Sequence, residues 1–333
     1  MKQSTCISPV RLMFVILTFA FTLSVIILSA FLPSGSQYWA NNDSDLLRMR
    51  APRDMGTAST KDNVDQPRLI VVAPTFYSDT SETRYLLGLE ACQKAAEYGV
   101  EFILVDASPS QNIRNGLEHA GRSGDGRSFV RVVRQSYKGK KGAALREAIA
   151  YAVDELREEN NKKTTMIGFQ ELEKVDVIKY WNSIAKHAME SKAGIVVPRR
   201  EDLHFRASYP IEQYHSEQFG NMYLDSLGKK IGLPSIDWLN GPVAFDVSLA
   251  NAWLEFDGEL WDAQIVPMVD CFLKRNTKIT SFDIPYIHRR TMKEQEEGNL
   301  AFIEKRLYQL NFLSDTVGKQ IREAAGSVVS QYE

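Results

Sequence analysis

Hydrophobic positions divide the chain into three regimes. Leu12 to Leu32 is an uncharged apolar run of 21 residues, interrupted only by Thr18, Thr22, Ser24 and Ser29. As a helix it would reach about 31 Å, close to the roughly 30 Å of a bilayer's hydrocarbon core. Pro33 to Gln66 is polar and aperiodic, the pattern of a flexible stem. From Arg68 onward, short β-branched runs alternate with helical spacing. Arg68–Ala73 predicts a buried strand stopped by Pro74, and Thr83–Tyr98 a helix stopped by Gly99. Val100–Val105, Val130–Val133, Thr165–Phe169 and Ala193–Val197 predict four further strands; Gly142–Leu156 and Val175–Ser191 predict helices between them. Such alternation implies an α/β domain over residues 67–290, a mostly parallel sheet flanked by helices with right-handed crossovers. In the remaining segment, 291–333, Glu294–Gln309 reads as a charged helix packing the rear of the domain.

Charge adds an orientation. Lys2 and Arg11 precede the apolar run, whereas Asn41 to Asp45 follows it with acids and no nearby base. The positive-inside bias keeps a tail of residues 1–11 in the cytosol and sends the bulk of the chain across the membrane. Signal peptides carry shorter apolar stretches of about 7–15 residues, so residues 12–32 read as a retained anchor; Ser34-Gly35-Ser36 leaves a cleaved leader as the alternative. The expectation is a single-pass type II protein of the Golgi membrane, with the ER membrane second. Asn42-Asp43-Ser44 is then a usable glycosylation acceptor. Cys6, beside the membrane, is open to acylation or simply unmodified. Over the whole chain, 40 Lys+Arg against 42 Asp+Glu give a net charge of -2, which argues against a nucleic-acid partner. Three cysteines, at 6, 92 and 271, fit neither a disulfide framework nor a zinc motif.

In open α/β sheets ligands sit beyond the carboxyl ends of the strands. The polar residues there are Thr75, Asp106, Ser108, Glu171 and Glu173. Neither G-x-G-x-x-G after the first strand nor a G-x-x-x-x-G-K-[ST] loop is present, which disfavours a nicotinamide enzyme and a P-loop nucleotidase. Lys138, Lys140, Lys141 and Arg146 cluster around Gly139 and Gly142. Gly142 opens a helix whose N-terminal N–H groups favour an anion; a solvated basic turn is the plainer reading.

Four blocks carry a resemblance. Val72-Ala-Pro-Thr-Phe76, Val105-Asp-Ala-Ser108, Lys138-Gly-Lys-Lys-Gly-Ala-Ala-Leu-Arg-Glu-Ala-Ile149 and Asn240-Gly-Pro-Val-Ala-Phe245 stand in that order. Together they resemble GT-A glycosyltransferases, especially family 2 enzymes of the polyprenyl-phosphate sugar transferase type, over about residues 68–290. The resemblance implies a GT-A-like fold and a UDP- or GDP-linked sugar donor held by Pro74, Thr75, Asp106, Ser108, Lys138, Gly142 and Arg146. The acceptor is a glycan, a lipid or a small molecule.

Where that family carries Asp-x-Asp on Mn²⁺ or Mg²⁺, this chain has Glu171-Leu-Glu173, followed by Lys174. Glu171 and Glu173 keep the alternate spacing on longer arms, and His288 matches the position of a last metal ligand in several GT-A families. Lys174 partly replacing the cation is the alternative, and acids at a helix start need no ligand at all. Inverting transfer requires a base; Asp262 beside Trp261 is the first candidate and Asp237 its rival, although Asp262 also suits a helix cap. Arg199, Arg200, Tyr209, Glu212 and Glu217 are expected on the acceptor side. The expected function is a lumenal glycosyltransferase. Its competitors are a catalytically silent GT-A-like sugar-binding or scaffolding protein and, further off, a nucleotidyltransferase.

Overall fold

A computed structural model describes residues 67–137, 140–158, 164–294 and 296–330. The expected tail, membrane segment 12–32 and stem lie outside the described residues, as does Lys138. Among the described residues no helix is long and apolar enough to cross a membrane.

The chain runs β1 (Arg68–Thr75), α1 (Thr83–Tyr98), β2 (Glu101–Asp106), α2 (Gln111–Ala120), β3 (Val130–Arg134), α3 (Lys141–Glu158) and β4 (Thr165–Phe169). A 3-10 turn, Val175–Tyr180, leads into α4 (Trp181–Ser191), β5 (Ile195–Arg200), α5 (Asp202–Ser208), α6 (Ile211–Gly228) and β6 (Val243–Asp246). There follow α7 (Asn251–Leu254), α8 (Asp262–Arg275), β7 (Ile279–Ile284), α9 (Arg290–Lys293), α10 (Leu300–Leu313) and α11 (Lys319–Ser330). These make a mixed α/β architecture with one seven-stranded sheet in the order β3-β2-β1-β4-β6-β5-β7.

The strands β1 to β4 pair in parallel, as their apolar runs predict. Alternate residues of β1 point to opposite faces. Ile70 and Val72 join the core under α3, α8 and the C-terminal helices; Leu69, Val71 and Ala73 join the core under α1, α2 and α4. Gly99 ends α1 in the left-handed region at φ 64°, donating its N–H to Ala95 O. A side chain there would be strained, which is why glycine marks the stop.

Four features depart from the sequence reading. β6 enters between β4 and β5 and runs antiparallel to both, a single reversed strand between parallel ones. The helix expected over 175–191 begins as a 3-10 turn and becomes α-helical only at Trp181. The helix expected from Glu294 starts at Leu300, where Asn299 Oδ1 accepts from Ala301 N. The segment after 290 is no rear cover: Leu313, Val317 and Ile321 are fully buried in one of the two cores.

At the carboxyl end of β5 an ion cluster fixes the far side of the sheet. Arg200 is buried; its Nε and Nη2 each donate to Asp237 at 2.8 Å, and its Nη1 donates to Glu217 at 2.7 Å. The guanidinium lies 3.7 Å from the ring centroid of Phe205. Arg306 reaches Glu217 from α10 at 3.0 Å. Burial raises the Glu217 pKa, but Arg306 and Arg200 outweigh it and hold the carboxyl at about 2. β5, α6, the 237 loop and α10 are thereby tied at one point.

Candidate functional site

The ends of β1 and β2 are locked by one carboxylate. Asp106 Oδ1 accepts from Thr75 Oγ1 at 2.8 Å and from Ser108 Oγ at 2.7 Å. Its Oδ2 accepts from Ser108 N and from Arg114 Nη1, both at 3.2 Å. Ser108 Oγ in turn accepts from Tyr77 N. Asp106 is 0% exposed and Ser108 3%, while Pro74 continues the ladder opposite Val105. Thr75, Asp106 and Ser108 do meet, yet the carboxylate expected to read the donor's base is shut away by its own neighbours. Its chemistry here is to hold Arg114, a residue absent from the sequence reading.

The basic block after β3 also takes an unexpected arrangement. Gly142 packs so closely on the 256–259 loop that a Cβ would lie 1.9 Å from Gly258 O, which is why only glycine fits. Arg146 is bound to that same loop. Its Nη1 donates to Phe256 O at 2.9 Å and Gly258 O at 2.6 Å, and its Nη2 pairs with Glu259 at 2.8 Å. Glu259 also accepts from Lys140 N at 2.8 Å. A carboxylate of the chain itself thus takes an N–H at the start of α3 that was expected to face an anion. Asp262 is likewise occupied: it is buried in the first turn of α8, and its Oδ1 accepts from Leu260 N at 3.0 Å. The expected helix cap is not made either: Trp261 is the cap residue, no side chain caps the helix, and the carboxylate is used by the loop before it.

Beyond β4 the picture is richer. Glu171 Oε1 lies 2.7 Å from Lys141 Nζ at the start of α3, and its Oε2 lies 3.1 Å from Lys174 Nζ. Burial works against the Glu171 carboxylate, but Lys141 and then Lys174 more than compensate and hold its pKa far below the ordinary range. Lys174 Nζ also donates to Asn240 O. Gly241, at φ 100°, presses on the same carboxylate; a Cβ there would lie 2.7 Å from Glu171 Oε2. The block Asn240 to Phe245 therefore closes onto Glu171 and Lys174.

These residues border a solvent-open cavity of about 160 Å³. Glu171, Glu173, Lys174 and His288 line one part of it; Arg200, Tyr209, Glu217 and Trp261 line another. Arg199 stands apart in an exposed pair with Asp283, and Glu212 accepts from Gly298 N on the surface. Asp237, the rival base, is spent on Arg200. The cavity's remaining polar lining comes from residues that sequence reasoning missed, among them Gln213, Gln264, Lys293, Lys305 and Arg306. Lys305, Arg306 and Gln309 lie within four positions on α10, the i, i+4 spacing that puts side chains on one helix face. That spacing was the available signal, hidden by treating the helix as a rear cover.

The residues proposed for a divalent ion do not fit one. Glu171 is clasped by two ammonium groups, and Glu173 pairs with Arg84 at 3.3 Å. His288 is buried, its Nδ1 3.3 Å from Arg289 O. Burial, and then the cations Lys293 and Lys174, push its pKa well below the ordinary value, so the ring is neutral. Among the described residues no group of three or more His, Cys, Asp or Glu side chains converges as a metal site. A divalent ion brought to Glu171 would face two positive charges already in place.

Neither a family model nor a curated protein sequence matches the chain. Solved structures of similar shape include glucosyl-3-phosphoglycerate synthase from Mycobacterium tuberculosis in complex with Mn²⁺, UDP-glucose and phosphoglyceric acid. It is 14% identical, with 74% of this chain and 79% of that one covered and a TM-score of 0.48. A mannosyltransferase from Pyrobaculum calidifontis in complex with GDP-Man and Mn²⁺ is 12% identical over 94% of this chain and 86% of that one, at TM-score 0.46. A CMP:2-keto-3-deoxy-manno-octonic acid synthetase complexed with CTP is 8% identical over 68% and 96%, at 0.36. Likeness at this distance assigns no activity to the chain.

Removing the Asp106 carboxylate should destabilise the fold, because Arg114 would remain buried without its counter-charge. Asp106→Ala is expected to lose about 3–5 kcal/mol in a denaturant titration followed by circular dichroism. A midpoint equal to the parent's would show that the carboxylate does not hold the strand ends.

Proposed function

We propose that this chain is a glycosyltransferase that takes a UDP- or GDP-linked sugar and passes it to the hydroxyl of a glycan, lipid or small-molecule acceptor. One observation carries the reading: the resembling blocks converge at the carboxyl ends of β1, β2 and β4. There Lys141, Glu171 and Lys174 stand beside a polar cavity open to solvent. Trp261, edge-on to Tyr308 at 6.0 Å between centroids, gives that cavity an aromatic wall on which a sugar ring can stack. Among the cavity's carboxylates, Glu173 is the one held most loosely, 3.3 Å from a half-exposed Arg84. Glu173 replaces Asp262 as the assigned base for the acceptor hydroxyl.

A second reading keeps the fold and the donor but not the chemistry. Every carboxylate lining the cavity is ion-paired: Glu171 with Lys141 and Lys174, Glu173 with Arg84, Glu217 with Arg200 and Arg306, Glu296 with Lys293. A catalytically silent sugar-binding protein would look the same.

Residues 12–32 are proposed to anchor the chain in the Golgi membrane with the catalytic domain in the lumen. Support comes from the length of the apolar run and the bases that precede it.

Two experiments test these proposals. The purified full-length chain should release UDP or GDP from a panel of nucleotide sugars. Glu173→Gln should cut turnover by about 10²–10⁴-fold with donor affinity unchanged. Donor binding without turnover by the parent under any acceptor would favour the silent reading. An epitope at Glu333 should resist protease in sealed microsomes and leave the membrane only with detergent; digestion from the cytosolic side would overturn the lumenal assignment.

A further inference from the structure

We infer that Lys141 and Lys174 take the place of a divalent cation, so that the donor's diphosphate is bound and its departure assisted without metal. The inference rests on the nucleotide-sugar reading of this cleft and concerns the position where the chain departs most from the family it resembles. An Asp-x-Asp site with a divalent ion sets two negative charges against two positive ones. Here two ammonium groups flank a single carboxylate, leaving one net positive charge at the end of β4.

Hydrogen-bond capacity points the same way. Each ammonium has three N–H donors. Lys141 gives one to Glu171, and Lys174 gives one to Asn240 O while standing 3.1 Å from Glu171 Oε2 as an ion pair. Each lysine keeps two donors, with the side chains 29% and 12% exposed, so both remain reachable. Both are positioned by neighbours that do not move freely. Lys141 is set by the first turn of α3 and lies over the Phe169 ring at 5.2 Å. Lys174 is fixed by the Asn240 carbonyl, and Gly241 closes on Glu171. Glu171 then acts as a positioning residue: it holds two like charges together, where alone they would repel.

In transfer, the bond from the anomeric carbon to the β-phosphate oxygen breaks and its electron pair stays on that oxygen. The acceptor oxygen forms the new bond to carbon, and its proton passes to the base. The charge that develops on the leaving diphosphate falls beside the two ammonium groups, where fixed donors stabilise it most.

Binding separates the possibilities. The full-length chain in detergent is titrated calorimetrically with UDP, GDP, UMP and inorganic pyrophosphate, first in EDTA and then in Mn²⁺. UDP or GDP should bind in EDTA, at least about tenfold tighter than UMP, and Mn²⁺ should add little. Lys141→Met and Lys174→Met should each weaken the diphosphate by about tenfold or more and leave UMP unchanged. Lys141→Arg, which keeps the charge, should retain most of the affinity. Diphosphate binding that appears only with Mn²⁺ would overturn the inference while sparing the nucleotide reading. Lysine-dependent binding of pyrophosphate without any nucleotide would do the reverse. Failure of every diphosphate in both buffers would sink both.

Discussion

The bridge from Lys141 through Glu171 to Lys174 is the constraint on which the donor side depends. It joins three parts of the chain that are far apart in sequence: the first turn of α3, the end of β4 and the loop entering β6. Without the central carboxylate, two ammonium groups would lie close together in a partly buried position, an arrangement that costs several kcal/mol unless compensated. With it, α3 is held to the sheet at its open end and the 240 loop is drawn in against β4. The reversed strand β6 serves the same purpose. Because β6 runs antiparallel to β4, the loop that precedes it arrives at β4's carboxyl end, where the ligand site of an open sheet is expected.

On the far side of the cavity the Arg200 cluster plays a comparable part. Arg200, Glu217, Asp237 and Arg306 are mutually satisfied, and the cost of burying them is offset by close pairing and by the rings stacked on the guanidinium. Such clusters add less stability than an apolar packing would, but they fix geometry. Here the geometry is a polar wall that brings α10 to the cavity. The two walls differ in character: one centres on a carboxylate held between two lysines, the other on a buried arginine held between two carboxylates. That difference is the reason for assigning the donor to one and the acceptor to the other.

The first half of the fold was legible in the sequence because its strands are buried on both faces and its helices are amphipathic. Thr83–Tyr98 and Thr165–Phe169 match their elements to the residue. The helix Gln111–Ala120 was missed: its ten residues bury only Ile113, Leu117 and a charged Arg114. The antiparallel β6 could not be read from a four-residue run, whose direction is set by tertiary pairing alone. In the site, sequence order correctly gathered Thr75, Asp106 and Ser108, and placed Glu171, Glu173 and His288 on one cavity. What it misjudged was occupancy. Asp106, Arg146 and Asp262 have the right chemistry for a ligand, but each is used by a neighbour: Arg114, the 256–259 loop and Leu260 N. Spacing reveals where a charge lies along the chain, not which group across the fold has already claimed it.

The central claim is that a diphosphate lies against two lysines at the end of β4. A crystal structure of the protein grown with UDP and Mn²⁺, with data collected at the manganese edge, tests it most directly. The account predicts phosphate oxygens within hydrogen-bonding distance of Lys141 Nζ and Lys174 Nζ, with no anomalous peak between them and Glu171. An anomalous peak coordinated by Glu171 or Glu173, or UDP bound away from the carboxyl ends of β1 and β4, would contradict it.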